Sequence, residues 1–532
     1  MDDSGKRALS YHERTKHHPG RYARSLGYLD WDTQPDPFRR YEGARVLPLP
    51  LMDIPDTPSW DDVLDEQVEP VPMDLDSISR LLFDSLALSA WKEAGRSRWS
   101  LRVNPSSGNL HPTEATIVWH DGIFHYAPFV HGLEERAVLT PETHSRLIAP
   151  LAASTLLVGL SSIYWRESWK YGERAFRYCQ HDVGHAVAAL ALSAAALGWK
   201  TQMCSAIPDR DIAKLLGIAQ QVGPEAEHAD CVLAIGPSVP DVTRFRPSLD
   251  ALPSFVGSPA PLSPEHQAWP VIDDVSAATE QIEIAETVAE PRAPWEPSKE
   301  GDHADECPRS QAAARVLFHR RRSAVEMDAH STLPKDVFFR MLSRTLASPL
   351  SALPWAPRVH LALFVHRVDD MDPGIYFFGR HPRARDAARA AMRTELLWER
   401  TPPVDLLVPA DVRDAAKMIC CHQDIAADGA FAVAMLAELE PAIAQYGASF
   451  YRRLHWEAGA IGQVLYLEAE AAGVRATGIG CFFDDVLHEL LGLDGRTLAM
   501  LYGFTVGGPL DDPRIRTAPP YAHLDRALSP RR

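Results

Sequence analysis

Residues 184–198 read GHAVAALALSAAALG, and residues 459–473 read GAIGQVLYLEAEAAG. Both runs begin and end with glycine, and both carry apolar residues at helical spacing between the glycines. They lie 275 positions apart, and the same shift aligns residues 170–217 with 445–492 without a gap. Two matched glycines around a matched apolar period indicate a domain that is present twice, and Gly198 is well placed to end its helix.

Short runs of strand-forming residues precede both helices and are repeated as well. The runs at 116–119 and 123–126 correspond to those at 361–365 and 374–378. Apolar residues at helical spacing over 78–88 predict a helix ahead of the first run. We therefore predict one α+β domain present twice. Because like domains usually pair about a two-fold axis, we expect the halves to form a fused pseudo-dimer.

The region between the two halves differs in composition from both of them. Prolines recur from 237 to 308, and acidic residues cluster around 280–290. This composition is typical of a linker that runs partly extended along a surface. We predict a first domain at 1–240 that includes an N-terminal arm, a proline-rich linker at 241–305, and a second domain at 306–532.

Composition limits the class of protein. The chain has 532 residues, too many for one typical core, and 46% hydrophobic and 23% charged residues are usual for a globular protein. A net charge of -17 argues against a general nucleic-acid-binding protein. Seven scattered cysteines without CxxC spacing indicate free thiols in a reducing compartment. With a polar N-terminus and no apolar run long enough for a membrane span, we expect a cytoplasmic protein without a membrane partner.

Three histidines near the N-terminus raise the question of a metal site. His12, His17 and His18 have no further ligand in register, so we interpret this segment as a solvated arm that packs on the first domain.

A turn with the sequence PSSGN is the first candidate for ligand binding. Its proline and glycine favour a tight backbone, and its hydroxyl and amide groups offer hydrogen bonds to a flat ring with polar edges. Taken alone, the segment is equally well interpreted as an ordinary turn. The candidate residues are Pro105, Ser106, Ser107 and Asn109.

A basic cluster at the start of the second half is the second candidate. Arg321 and Arg322 precede Ser323, and clustered guanidinium groups with a hydroxyl suit a phosphate. A solvated basic patch at a linker end is the alternative interpretation. Arg514 is a further candidate phosphate contact near the C-terminus. The bare backbone of a short segment after the second long helix suits close approach of a ring, at Gly478, Ile479 and Gly480.

Together these motifs resemble the nitroreductase-like FMN flavoproteins, in particular the branch with the azoline (thiazoline/oxazoline) dehydrogenases of modified-peptide biosynthesis. The resemblance rests on the Arg-Arg-Ser opening, the PSSGN loop, the helix from Gly459 to Gly473, Ile479-Gly480 and the segment 490–493. It covers most of both halves but not the linker. It implies two tandem nitroreductase-like domains, each with a central, mostly antiparallel sheet flanked by helices, and FMN at their interface.

In that family, an Arg-x-Ser clamp and a C-terminal basic residue from one subunit hold the phosphate, while the Pro-Ser-Ser-x-Asn loop of the other subunit reaches the same flavin. In this chain the first half has Trp60-Asp61-Asp62-Val63 where the clamp would be, and anions there would repel a phosphate. The second half, at 348–354, lacks the Ser-Ser-Gly-Asn set. Val325 replaces a basic residue that often follows the clamp. The resemblance therefore implies one FMN per chain and an empty pseudo-equivalent cleft.

The same resemblance assigns roles to the candidate residues. It places the phosphate on Arg321, Ser323 and Arg514, with Arg322 beside them. It places the ring edge on the PSSGN residues and the ring face beside the segment 478–480. A Lys-Tyr pair, to which proton removal is assigned in azoline dehydrogenases while hydride goes to flavin N5, corresponds to Lys170 and Tyr171.

Alternatives to these assignments remain open. The second half has Gln445-Tyr446 at the position of the pair, which offers no base, and a surface lysine beside a packing tyrosine is an equally good interpretation of Lys170 and Tyr171. His181, Asp182 and His185 have a spacing seen in metal sites, but the family uses no metal there, and we predict none.

We therefore predict an FMN-dependent oxidoreductase, a dehydrogenase of the azoline-oxidising type that acts on a peptide or a small heterocyclic substrate. One alternative is an NAD(P)H-dependent nitro or quinone reductase, since members of the family bind nicotinamide over the flavin without a GxGxxG fingerprint. The other is a degenerate flavin-binding scaffold without turnover. Expected partners are the substrate, NAD(P)H and proteins of a biosynthetic complex.

Overall fold

The computed structural model describes residues 1–149, 151–152, 154–238, 242, 244–250, 252–282 and 309–524. Nearly all of the predicted linker beyond residue 282 lies outside these ranges. In the described residues, no helix combines the length and the apolar character that crossing a membrane requires.

The first half contains two kinds of layer, a sheet and the helices packed on it. Its helices are α1 (Asp3–Arg14), α2 (Trp60–Leu64), α3 (Leu75–Phe83), α4 (Pro141–Ile148), α5 (Tyr164–Tyr171), α6 (Ala175–Ala195), α7 (Asp209–Leu215) and α8 (Pro270–Ala278). Its strands are β1 (Tyr41–Glu42), β2 (Arg45–Pro48), β3 (Leu88–Ala94), β4 (Ser97–Arg102), β5 (Thr113–Trp119), β6 (Gly122–Ala127), β7 (Gly132–Val138), β8 (Leu156–Ser162), β9 (Lys200–Met203), β10 (His228–Gly236) and β11 (Ser258–Pro259).

The second half is built in the same way. Its helices are α9 (Ala314–Arg320), α10 (Lys335–Arg344), α11 (Ala384–Ala391), α12 (Arg413–Ile419), α13 (Ile425–Asp428), α14 (Leu439–Tyr446), α15 (Phe450–Ala471) and α16 (Asp484–Leu491). Its strands are β12 (Glu326–Met327), β13 (Val359–Val365), β14 (Gly374–Phe378), β15 (Glu399–Thr401), β16 (Val404–Pro409), β17 (Phe431–Ala437), β18 (Arg475–Ile479), β19 (Ala499–Gly507), β20 (Pro509–Leu510) and β21 (Arg516–Ala518).

The central sheets of the two halves have the same topology in six of their seven strands. The first has the order β2-β7-β6-β5-β8-β10-β9 and the second has the order β15-β16-β14-β13-β17-β19-β18. Each neighbouring pair in both sheets is antiparallel. The edge strands differ, because β2 comes before the rest of its sheet in the chain whereas β15 lies between β14 and β16. The other six strands correspond in position and chain order, with α6 and α15 at equivalent places. The predicted α+β class with two tandem domains is therefore confirmed.

The two long helices cross at the matched glycines of the repeat. A Cβ atom added at Gly184 would lie 2.2 Å from the carbonyl oxygen of Trp456, and one added at Gly459 would lie 2.2 Å from that of His181. Only glycine allows backbones to approach this closely. The outer glycines end the helices, because Gly198 and Gly473 have φ of +71° and +75°.

Buried ion pairs join the halves reciprocally on either side of this crossing. Arg177 on α6 contacts Asp484 of α16 at 2.9 Å. The repeat-related pair, Arg452 on α15 and Asp209 of α7, is also in contact. All four side chains are largely shielded from water, at 11% exposure or less. A contact between positions i and j together with one between j and i is the signature of a two-fold arrangement.

Two predicted element boundaries are wrong for identifiable reasons. The long helix was expected to start at Gly184, where its apolar run begins, but it starts at Ala175. Its first turns carry polar side chains that are buried, because residues of other elements form hydrogen bonds with them. The side-chain amide of Gln180 donates to Asp230 and accepts a hydrogen bond from the indole N–H of Trp456. The helix expected over 78–88 ends at Phe83, and its last apolar residues form a turn and the start of β3.

The N-terminal arm, the described part of the linker and the described C-terminal segment pack onto the rest of the molecule. The N-terminal arm, expected to be solvated, is the helix α1, whose Tyr11 and His12 are buried. It contacts α8, within the predicted linker, as well as α14 of the second half. The segment after β19 crosses to the first half, where β21 pairs with β3. The domain boundaries remain a prediction.

Replacing Gly459 with alanine tests the helix crossing. In an ordinary helix interior this change stabilises by about 1 kcal/mol. Here the added methyl group collides with backbone that cannot rotate away, so we expect a loss of about 1–3 kcal/mol in the free energy of unfolding, read from the midpoint of urea unfolding. Gly20→Ala is the control, because a Cβ there meets no atom within 4 Å. A Gly459→Ala protein as stable as the parent would contradict the close crossing.

Candidate functional site

A cavity of about 760 Å³ lies between the two halves and is lined by residues from both. Its size is in the range of small-molecule and cofactor sites. Among the segments that line it are the PSSGN loop, the middle of α6, the basic cluster that follows α9, and the end of β18. Of the residues predicted from the sequence, the wall contains Pro105, Ser106, Ser107, Asn109, Tyr171, Arg321, Arg322, Ser323, Gly478, Ile479 and Gly480.

The PSSGN loop is held in place by hydrogen bonds to its surroundings. The backbone N–H and the hydroxyl of Ser107 both donate to Asp182 of α6 at 3.0 Å. The side-chain amide of Asn109 donates to the carbonyl oxygen of Ser100 at 2.8 Å. Gly108 has φ of +58°, and a Cβ there would lie 2.6 Å from the hydroxyl oxygen of Tyr171. The glycine is therefore needed for both the turn and the close packing.

Arg321 has one buried hydrogen-bond donor with no partner among the described residues. Its Nε donates to the carbonyl oxygen of Val103 at 3.0 Å and its Nη2 to that of Arg102 at 3.2 Å, both across the interface of the halves. Its Nη1 is buried and has no partner among the described residues. Leaving a buried guanidinium donor unpaired is costly, so this atom is a good place for a ligand oxygen.

Three further cationic side chains line the cavity besides Arg321. They are Lys92, Arg322 and Arg475, and with Arg321 they form what we call the cationic end of the cavity. Burial lowers the pKa of Lys92, and the charges of Arg322 and Arg475 lower it further. Burial first, and then Arg321, lowers the pKa of Arg322 to about 10. Cations that depress one another's pKa in this way would be stabilised by an anion between them.

Carboxylates compensate part of this charge but do not cover it. Arg475 pairs with Asp511 at 2.5 Å, and Glu470 accepts the backbone N–H of Arg322 at 3.2 Å. The hydroxyl of Ser323 lies 2.8 Å from that of Tyr466, which also accepts the backbone N–H of Gly478 at 2.9 Å. These bonds place the basic cluster beside the end of β18.

The end of β18 has no room for side chains. A Cβ added at Gly478 would lie 2.1 Å from the hydroxyl oxygen of Tyr502, and one added at Gly480 would lie 2.3 Å from a ring carbon of Tyr178. Both tyrosines line the cavity. Bare backbone and aromatic rings thus form one wall, a surface that suits a flat ring.

The predicted catalytic pair packs against Gly108 of the PSSGN loop. Tyr171 lines the cavity, whereas Lys170 is not among the lining residues. A Cβ added at Gly108 would lie 2.6 Å from the hydroxyl oxygen of Tyr171 and 3.2 Å from the Nζ atom of Lys170, so both groups lie on the same side of the loop.

Two buried carboxyl groups belong to α6 and α5, and of these Asp182 lines the cavity. Burial raises the pKa of Asp182 to about 7, although hydrogen bonds from Ser106 and Ser107 oppose the shift. Burial also raises the pKa of Glu167 well above its usual value, and the charge of Asp182 adds to the effect. Both oxygens of Glu167 lack hydrogen-bond partners within the described part of the chain. Burial therefore favours the protonated form of both groups.

Arg514 is not brought to the cavity. Its side chain is 86% exposed and pairs with Asp512 at 2.7 Å, while Pro513, Ile515 and Thr517 line the wall. Sequence reasoning missed Lys92 and Arg475, which take part in the cationic end instead. The available signals were the alternation of charged and aromatic residues in β3 and β4 and the position of Arg475 just before the predicted ring-binding segment.

The corresponding place on the other side of the helix crossing is packed with protein. The short 3₁₀ helix Ser348–Ala352, at the position comparable to the PSSGN loop, packs on α6 and β9 of the first half. Leu350 and Leu353 are buried in the main core. The carboxylate of Asp61 in α2 forms ion pairs with Arg340 and Arg344, with N–O distances of 3.1 and 2.9 Å.

The described residues offer no group of three or more His, Cys, Asp or Glu side chains that could hold a metal ion. His181 stacks on Tyr502 with ring centroids 4.3 Å apart, and His185 lies 3.2 Å from the Tyr502 hydroxyl oxygen. These histidines therefore take part in aromatic packing at the cavity wall.

Comparison with known proteins connects this geometry to a family. The model of the nitroreductase family matches residues 70–236 and 320–508, one segment in each half. The chain belongs to the nitroreductase family. The two matched segments contain both long helices and every strand of the two central sheets except β2, so the family's domain is present twice.

Individual relatives agree with this assignment. MJ1384 of Methanocaldococcus jannaschii, which is named as a nitroreductase, is 27% identical over 161 residues, which are 28% of this chain and 77% of that protein. The crystal structure of a protein from Anabaena variabilis that is also named as a nitroreductase matches with a TM-score of 0.67 and 24% identity. It covers 95% of this chain and 99% of that chain, so the fold of both halves together is shared with it.

A match to the E. coli microcin synthetase McbBCD complex with truncated pro-MccB17 bound is weaker. Its TM-score is 0.26 at 18% identity, over 45% of this chain and 95% of that chain. A likeness at this level carries no argument about function.

The raised pKa of Asp182 predicts a pH-dependent stability. The folded protein keeps this carboxyl neutral up to about pH 7, while the unfolded chain ionises it near 4. The stabilisation is therefore complete at acid pH and is lost as the pH rises through 7. We expect Asp182→Asn to gain a few kcal/mol in unfolding free energy relative to the parent between pH 5 and 8.

Asp512→Asn is the control for this comparison. Arg514 lowers the pKa of Asp512 to about 2, so this variant should track the parent over the same range. Parallel pH profiles for Asp182→Asn and the parent would show that Asp182 is ionised throughout.

Proposed function

We propose that this chain is an FMN-dependent oxidoreductase that binds one FMN between its halves and oxidises an azoline-type ring in a peptide or small heterocyclic substrate. In this account the halves form an intramolecular pseudo-dimer, with a first domain at 1–240 and a second domain at 306–532. The observation that carries the proposal is the unpartnered Nη1 of Arg321, which lies among the cationic residues that line the same cavity as the PSSGN loop.

The residues of the cationic end fit a phosphate. Arg321 offers a buried, pre-positioned N–H donor, and the hydroxyl of Ser323 lies beside it. Lys92, Arg322 and Arg475 supply positive charge from three different strands and turns. We assign the outer phosphate contact to Lys92 and Arg475 rather than to Arg514, which is turned outward and paired.

The PSSGN loop and the end of β18 fit a flat ring with polar edges. Pro105, Ser106, Ser107 and Asn109 would face its edge, and Asp182 fixes the loop through Ser107. Gly478, Ile479 and Gly480 would lie along the ring, since side chains at the two glycines are excluded by Tyr502 and Tyr178.

When bound, FMN supplies a hydride acceptor for a substrate C–H bond. Lys170 would remove the accompanying proton, since its Nζ atom lies beside the Tyr171 hydroxyl at the Gly108 turn. Tyr171, packed against Gly108 and 4.5 Å from Tyr178 between ring centroids, would orient the substrate ring.

Two variants, each the control for the other, test this assignment. Arg321→Ala removes one charge-assisted phosphate contact, so we expect FMN to bind roughly 10- to 100-fold more weakly, measured by quenching of flavin fluorescence. Lys170→Ala should bind FMN as the parent does but lose on the order of 10²–10⁴-fold in the rate at which an azoline-containing peptide bleaches the bound flavin without oxygen.

Arg514→Ala is the third variant and should leave FMN affinity unchanged. Unaltered FMN affinity in Arg321→Ala would remove the phosphate assignment, and an unaltered bleaching rate in Lys170→Ala would remove the base. Bleaching by NAD(P)H but by no azoline would favour a nitro or quinone reductase. Bound flavin that neither reagent reduces would favour a scaffold without turnover.

A further inference from the structure

Two cysteines from distant parts of the sequence meet at the cavity wall. The Sγ atoms of Cys421 and Cys481 lie 2.8 Å apart, and both residues are partly exposed. Cys481 lines the cavity directly after Gly480. A disulfide bond is about 2.05 Å long, so less than an ångström of sulfur movement separates this pair from a bond.

The backbone around the pair is fixed on both sides. The side-chain amide of Gln423 donates to the carbonyl oxygens of Cys420 at 2.8 Å and Cys481 at 3.1 Å, which ties the two segments together. The backbone N–H of Phe483 donates to Ile419 at 2.7 Å. In the turn, the backbone of Cys421 has φ of +54°, a conformation that residues other than glycine rarely adopt. The turn that brings Cys421 to Cys481 is thus held from several directions.

The environment of the pair separates the two thiols electrostatically. The hydrogen bond between them, then His17 and Arg174, lowers the pKa of Cys481 below its usual value, whereas the pKa of Cys421 is raised. Nδ1 of His17 accepts the backbone N–H of Ala23 at 2.8 Å. The neutral ring therefore carries its hydrogen on Nε2, which is free to serve as a donor. A thiolate at Cys481 beside a thiol at Cys421 is the reactive form of a dithiol.

The remaining described cysteines lack these features. Cys179, Cys204, Cys231 and Cys420 are buried, and burial raises the pKa of each thiol. Such thiols are inert, so the pair at the cavity differs from them in charge as well as in position.

We propose that Cys421 and Cys481 form a dithiol/disulfide centre that exchanges two electrons with the flavin of this cavity. The electron partner rests on the function proposed above. In the forward direction the Cys481 thiolate and the Cys421 thiol join in an S–S bond, the Cys421 S–H bond breaks, and two electrons with that proton pass to oxidised FMN. The reverse step reopens the disulfide with electrons that the flavin has taken from substrate. The pair thereby provides an acceptor other than oxygen.

The first part of the test needs no flavin. The protein is equilibrated without oxygen in glutathione buffers of increasing disulfide content, quenched with an alkylating reagent and mapped by mass spectrometry. We expect a Cys421–Cys481 disulfide, with Cys204 alkylated only after unfolding. Cys421→Ser and Cys481→Ser should abolish this disulfide, whereas Cys204→Ser should form it at the same buffer ratio as the parent. Free thiols at both positions in every buffer would overturn the proposal.

The second part uses protein whose Cys421 and Cys481 are reduced thiols and whose bound FMN is oxidised, without oxygen or added reductant. We expect the visible absorbance of oxidised flavin to fall as the mapped disulfide forms, with one flavin reduced per disulfide. Cys421→Ser should bind FMN but keep its absorbance. If FMN binds and the absorbance of the parent also stays constant, the exchange is refuted while the proposed function stands. If the parent protein binds no FMN, both are refuted.

Discussion

The structure depends on the crossing of two helices that occupy equivalent places in the repeat. Gly184 and Gly459 let α6 and α15 approach backbone to backbone, and the Arg177–Asp484 and Arg452–Asp209 pairs close both sides of the contact. Burying charges is unfavourable unless each finds a partner, so these pairs select one arrangement of the halves. Everything at the cavity, including its lining from both halves, follows from that arrangement.

The same crossing creates two equivalent places for a cleft, and the sequence treats them differently. On one side the PSSGN loop forms hydrogen bonds with Asp182 and lines a cavity of about 760 Å³. On the other side the segment Ser348–Ala352 packs on α6 and β9. The chain thus has an open cavity on one side of the crossing and packed core on the other.

Much of this organisation could be predicted from the sequence because the repeat is explicit. The paired glycines, the shift of 275 residues and the strand-forming runs predict two like domains. The PSSGN and Arg-Arg-Ser motifs predict a shared site, and in the structure both line the same cavity. Other features depend on tertiary partners that lie far away in the chain. The polar start of α6 is buried only because Asp484 and Trp456 reach it. In the sequence, Lys92 and Arg475 resemble ordinary surface charges, and nothing there indicates that Arg514 is exposed and paired with Asp512.

The central claim is that the two halves together build one composite FMN site. The most direct measurement is calorimetric titration of the flavin-free chain with FMN, together with sedimentation to establish how many chains each particle contains. The account predicts about one FMN per chain. Two per chain would mean that the packed side opens into a second site, and no binding would contradict the composite site altogether.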